Sequence, residues 1–518
     1  MRSPVTADLV LHGGYVLTLD PRRPQAEAVA IAGSTILAVG SEHELRPLLS
    51  SRTQRLSCIG RTVLPGFIDP HLHFLAWASR YSGADASAAR SMPELQLALQ
   101  QQLARTSADE WVRGYGYDEF FLAERRHPTK HDLDAVTEER PILLRHRTGH
   151  AAVLNSRALE LAGLNRDASP PASGIVERDA HTGEPTGVLF ELEPFLRTVV
   201  PPLSAPALAN GVRHVSRELL RQGVTSFHDA SAGNTLEDLA LFRRFHIEQV
   251  LASRTTVMVG IDALSEVLEE SLPPFSGDEW VRLGSIKIMV HESRGALSPS
   301  PEELAEMIER VHRHGFQVAI HAVEEGPVFI ALDGIARAVQ RWPRPDPRHR
   351  LEHCSMCPPP FLETLQKSGS LVVMQPGFLY FYGEKYAAEV AADVQAWLYR
   401  TKSFLEYGIR VAGSSDCPIA PLAPLRSIQA AVTRRARSGA VLNPDEALDL
   451  LPAVSLCTAA GAWVGFEETT KGRIAPGFVA DLVVLDGDIT KTLPEKIGEL
   501  TVETTIIDGR IVWSAADK

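Results

Sequence analysis

Little in this chain suits disulfides, membranes or nucleic acid. Its five cysteines (Cys58, Cys354, Cys357, Cys417 and Cys457) are few, odd in number and scattered. That fits a reducing compartment better than a disulfide framework. Cys354 and Cys357 form a Cys-x-x-Cys, but no second such pair completes a zinc site. No uninterrupted apolar run approaches the ~20 residues of a membrane span, and the first residues lack the apolar stretch of a secretory signal. Positive charge is in deficit. Lys and Arg number 52 against 64 Asp and Glu, a net −12, which argues against general affinity for nucleic acid or anionic membrane. The expected location is cytoplasmic, and the expected partner is a small molecule.

What remains is an ordinary globular composition, 44% hydrophobic and 22% charged over 518 residues. Residues 1–63 read as short strands and turns: Asp8 to His12, Tyr15 to Thr18, Ala28 to Ile31 and Thr35 to Val39, separated by Gly13-Gly14 and Gly33-Ser34. Residues 468–518 have the same texture, with Ala480 to Asp486, Val502 to Ile507 and Arg510 to Trp513, the last two joined by the hairpin signal Asp508-Gly509. Both ends are expected to build one small β-sandwich.

Between them, over 64–467, apolar strands alternate with helical patterns. The strands are the run before His71, then Val224 to His228, Arg254 to Val259, Ser285 to Val290, Gln317 to His321, Arg350 to His353, Leu371 to Gln375 and Arg410 to Gly413. A helix follows Ser300-Pro301-Glu302, from Glu303 to His314. Eight repeated βα units predict an α/β fold, a TIM-like (β/α)8 barrel. About 140 residues separate the first strand from the second, far beyond an ordinary connection. An inserted subdomain is therefore expected over about 76–215.

In such barrels the active site gathers at the C-terminal ends of the strands. Metal-ligand residues stand there repeatedly. His71 and His73 end the first strand, where alternation puts both imidazoles on one face. His321 ends the fifth, His353 the sixth, and Asp416 follows the eighth in Gly413-Ser-Ser-Asp416. One strand-end histidine is usually a hydrogen-bonded core residue; five such groups in register point to a bound cation. Lys287 lies inside the otherwise apolar Ile286 to Val290. A buried ammonium is costly, so either its stem is buried with the head reaching solvent or an acid, or the neutral amine takes up CO₂ as a carbamate.

The chain resembles the metal-dependent amidohydrolase superfamily, most of all the branch called amidohydrolase family 3, which includes N-substituted formamide deformylases. The resemblance rests on Pro65 to His73, the strand around Lys287, Val318 to His321, Leu351-Glu-His353, Gln375-Pro376 and Gly413 to Pro418. It extends to His131 to Val136, Gly149-His150 with Asn155-Ser156, and Lys471 to Leu482. Two departures stand where substrate would lie: His291 to Arg294 in place of an Asp-Gly-Ser stretch, and Glu324-Glu325 in place of Gly-Asp.

The resemblance implies one metal held by His71, His73 and Asp416 and a second held by His321 and His353, with N6-carboxylated Lys287 bridging them. One or two zinc ions are the expected cofactor. It further implies a metal-activated hydroxide cleaving the C–N bond of an amide, N-formyl or related group, with Asp416 as general base and then acid, and a homodimer. If the lysine is unmodified, a one-metal site of His71, His73, His321 and Asp416 remains workable. The alternative is a deaminase of a heterocyclic amine, using Glu324 of His321-Ala-Val-Glu324. A catalytically inactive binding protein on the same fold is the least favoured reading. His150, Asn155, His228, His291, Arg294 and Glu324 are candidate substrate contacts. Tyr115 and Tyr117 fit either a lid or a packed turn.

Overall fold

The computed structural model describes residues 6–168, 174–293 and 296–517. Two compact units emerge: Phe74–Val215 is one, and the residues before and after it form the other.

The larger unit holds eight parallel strands, in spatial order of sequence: β1 (Phe67–Leu72), β2 (Val224–Asp229), β3 (Arg254–Gly260), β4 (Val281–Met289), β5 (Val318–Ala322), β6 (Arg350–His353), β7 (Leu371–Met374) and β8 (Val411–Gly413). All eight anticipated strands are present, their ends moved by a few residues at most. Every residue of β1, β2, β3, β6, β7 and β8 is buried. This is why the strands read as apolar runs, since helices cover the outside and side chains fill the inside. The helix after β4 runs Pro301–Arg313; Ser300 caps it, accepting from the Glu303 N–H while Glu303 reaches back to the Ser300 N–H.

The seam between β8 and β1 is tied by the loop after β8. The Asp416 N–H donates to the His71 carbonyl at 2.9 Å, and the His73 N–H to the Cys417 carbonyl at 2.7 Å. Asp69 adds a third tie, accepting from the N–H groups of His71 and Ser415.

Strands from both termini join in one eight-stranded system around a shared core containing Leu11, Val29, Val63, Leu482 and Ile506. Leu9–Leu17 turns its corner, pairing first with Gln54–Ser57 and then with Thr62–Pro65, and Leu482–Leu485 lies antiparallel to Thr62–Pro65. Strands from both chain ends thus share this one sheet.

The second unit, Phe74–Val215, carries a six-stranded sheet. Its strand Val112–Tyr117 holds Tyr115 and Tyr117, both buried, with the Tyr117 hydroxyl 3.0 Å from His127 Nδ1. The lid reading of these tyrosines is corrected: they are sheet and core residues.

Candidate metal centre and active site

Three imidazoles gather at the C-terminal ends of β1 and β6, and each has its Nδ1 engaged. His71 Nδ1 contacts the Glu352 carboxylate, His73 Nδ1 lies 3.1 Å from Ser231 Oγ, and His353 Nδ1 lies 2.8 Å from Gln375 Oε1. An ionised carboxylate and an amide oxygen only accept, so His71 and His353 carry their proton on Nδ1. Their Nε2 lone pairs are then available. Gln375 is itself oriented by donating from Nε2 to Ser414 Oγ at 3.0 Å. An imidazole whose second nitrogen is fixed in this way is the usual arrangement for a metal ligand.

The Nε2 atoms of the first pair converge on Asp416. Its Oδ1 lies 3.5 Å from His71 Nε2 and 3.1 Å from His73 Nε2, is buried, and has no properly directed hydrogen bond among the described residues. His71, His73 and Asp416 together make a three-ligand set suited to a divalent cation. The His353 ring centroid is 5.0 Å from that of His71 and 4.5 Å from that of His321. Lys287, on β4, is 1% exposed, and its Nζ has no hydrogen-bond partner among the described residues. The alternative in which its head reaches solvent or an acid is therefore set aside. A carboxylate oxygen with no directed hydrogen bond and a buried amine without a hydrogen-bond partner, beside His71 and His353 in the ligating tautomer, fit the cation that the sequence implied.

The electrostatics agree. Burial pushes the Lys287 amine down to about 8, against the opposing pull of Glu352, leaving part of it neutral near pH 7. Burial and then the Lys287 charge push His71 down to about 3, so it stays a neutral ligand. For Asp416 burial acts upward, but its contact with His73 outweighs that and holds the carboxyl below its usual range.

Sequence reasoning missed Glu352 and Arg350. Simple alternation would send Glu352 and His353 to opposite faces. The backbone breaks that rule: φ is +72° at His353 and +46° at Cys354. Both Glu352 and His353 thereby approach His71. Arg350, fully buried, forks onto Glu352, and the spacing Arg-x-Glu within one strand was the available signal.

Several expected substrate contacts fall elsewhere. His228 is 2% exposed, with Nδ1 3.3 Å from Arg350 Nη1 and the Gly465 backbone packed on its ring. It is a core partner of Arg350, which corrects its assignment. Asn155 is also corrected: fully buried, it caps Ser156–Leu161, with Oδ1 accepting from the Ile142 and Ala158 N–H groups and Nδ2 donating to the Thr137 and Arg140 carbonyls. No hydrogen-bonding capacity is left for a ligand. His150, in the inserted unit, lies 3.0 Å from Glu191. Glu324 is exposed at the start of Glu325–Arg341, so the deaminase alternative gains no support. Arg294 and the His291 side chain lie outside the described residues.

The inserted unit has a second cluster, Asp118, Glu119 and His146. Within it, Arg147 Nε donates to Asp118 at 2.8 Å, and His146 Nε2 lies 2.9 Å from Glu119. Cys354 and Cys357 are buried free thiols.

Comparison with known proteins agrees with this geometry. The amidohydrolase family profile matches residues 57–513. Among individual relatives, a putative amidohydrolase of Bacillus subtilis, YtcJ, is 28% identical over 97% of this chain and 99% of its own. The N-substituted formamide deformylase of Arthrobacter pascens is 28% identical over 97% of each chain. An uncharacterized metal-dependent hydrolase from Pyrococcus horikoshii has the same fold, with a TM-score of 0.75 at 22% identity over 98% of this chain and 100% of that one. The chain belongs to the amidohydrolase family and is a metal-dependent hydrolase on a (β/α)8 barrel.

Proposed function

We propose that the protein hydrolyses a carbon–nitrogen bond of a small molecule, an amide, N-formyl group or close relative. The supporting observation is the buried Oδ1 of Asp416, set between two imidazole Nε2 atoms at 3.1 Å and 3.5 Å with no directed hydrogen bond among the described residues. Zinc suits this nitrogen- and oxygen-rich set best. His71, His73 and Asp416 would hold one ion, His321 and His353 a second, and Lys287, as a carbamate, would join them. A divalent cation bound there would lower the pKa of water to about 7 and polarise a carbonyl oxygen.

The chain's own groups then move the proton. Asp416, kept anionic by its contact with His73, takes a proton from the attacking water. The new C–O bond makes the carbonyl carbon tetrahedral. Asp416 next delivers that proton to the nitrogen, which leaves as an amine as the C–N bond breaks. Burial of Lys287, His71 and Asp416 keeps bulk water from screening these charges.

The A. pascens relative is named for N-substituted formamides, which makes them the first substrates to try. Incubation with N-substituted formamides should release formate and a substituted amine in equal amounts. Ammonia from a heterocyclic amine, with no formamide or amide cleaved, would replace this reading with deamination.

A further inference from the structure

We infer that Glu352 is a positioning residue that sets the tautomer of His71, and that Arg350 holds Glu352 in place. The inference rests on the reading of His71 as a metal ligand.

Three groups meet beneath the His71 imidazole, all at most 2% exposed: Arg350, Glu352 and His228. Arg350 grips Glu352 through Nε and Nη2, the latter at 3.0 Å from Oε2. Its Nη2 also donates to the Pro70 carbonyl at 2.7 Å, one residue before His71. Nη1 reaches His228 Nδ1 at 3.3 Å. A guanidinium has donors only, so His228 must accept there. Arg350 thus spans β6, β1 and β2 and fixes both the carboxylate and the backbone that carries His71.

Glu352 Oε2, the oxygen that Nη2 holds, is the one that contacts His71 Nδ1. An ionised carboxylate cannot donate, so the His71 proton stays on Nδ1 and the Nε2 lone pair points toward Asp416. The opposite tautomer would put a hydrogen where a cation must sit. Without Glu352, His71 would divide between tautomers and ring orientations, and each binding event would have to select one. Loss of such a partner weakens metal affinity by about 10–100-fold. A pair that merely braced β6 against β1 would leave affinity unchanged.

Two variants separate these roles. E352Q keeps the shape but offers an amide that can turn its NH₂ toward His71. R350M/E352L removes both buried charges together, a replacement that is often neutral or stabilising. Zn²⁺ affinity of metal-stripped full-length protein is measured by competition with a chromophoric chelator, beside unfolding in urea. The expected result is a dissociation constant raised about 10–100-fold in each variant that folds, with R350M/E352L unfolding near the wild-type midpoint. Wild-type affinity in a folded variant overturns the inference. The native protein supplies an independent reading: ¹⁵N-histidine NMR should find the His71 proton on Nδ1, assigned by its loss in His71→Asn. A proton on Nε2 in the metal-free protein also overturns it, even if neither variant folds. A wild-type chain that binds no Zn²⁺ would instead contradict the metal-site reading itself.

Discussion

The backbone N–H of Asp416 donates to the carbonyl oxygen of His71 at 2.9 Å, so the seam that closes the barrel also sets the acid beside the first imidazole. Backbone, rather than side chain, fixes their separation. Side-chain substitutions at either position therefore alter chemistry with little effect on placement.

Asp416→Asn keeps that backbone bond and an oxygen ligand but removes the base. Turnover should fall by about 10²–10⁴-fold, while metal content measured by elemental analysis stays near wild type. Near-normal kcat with bound metal would defeat the assignment of Asp416 as base.

Lys287→Met should separate stability from function. The amine is buried with no hydrogen bond, and removing an unpaired polar group from such a place relieves about 1–3 kcal/mol. The metal-free variant is expected to unfold at the wild-type urea concentration or above it, with at least about 10²-fold lower activity and less bound metal. A metal-free variant markedly less stable than wild type would mean that the ammonium has a stabilising partner.

Asn155→Ala should act on folding alone. It removes a helix cap and leaves the buried N–H of Ile142 and the partly buried carbonyls of Thr137 and Arg140 without their partner, a loss of about 2–4 kcal/mol. At temperatures where the variant stays folded, KM should match wild type. A KM raised tenfold with stability intact would return Asn155 to the substrate site.

Acid should weaken the fold through buried neutral histidines. His349 is 1% exposed; its Nδ1 accepts from the Val318 N–H, and its Nε2 lies 2.8 Å from His312 Nδ1. Burial, then His312 and Arg344, push its pKa down to about 3 from 6.5. Between those values the unfolded chain binds the extra proton. This contribution to stability is therefore intact above about pH 6.5 and declines as pH falls toward 3, by about 1.4 kcal/mol per pH unit. In urea titrations of metal-free protein across that interval, His349→Gln should show a shallower slope by about one proton. Identical slopes would contradict a neutral His349.

The frame was legible because its signals are periodic. Buried parallel strands are apolar runs, and a polar residue inside one stands out, as Lys287 and His71 did. The His71 and His73 pairing followed from strand alternation alone. Glu352 was hidden by the left-handed backbone at His353 and Cys354, which no residue type there announces. Asn155 was misread because a polar residue in a family-like segment suggests ligand contact. Its position just before a short apolar helix was the better signal. Tyr115 and Tyr117, beside glycine, fitted a lid or a packed turn in sequence, yet they lie in a strand of the inserted unit, both buried.

The most direct test is anomalous diffraction at the zinc absorption edge from crystals of the native protein. The account predicts a peak within about 2.0–2.3 Å of His71 Nε2, His73 Nε2 and an Asp416 oxygen. Crystals grown with zinc that show no peak there, or one only at Asp118, Glu119 and His146, would contradict it.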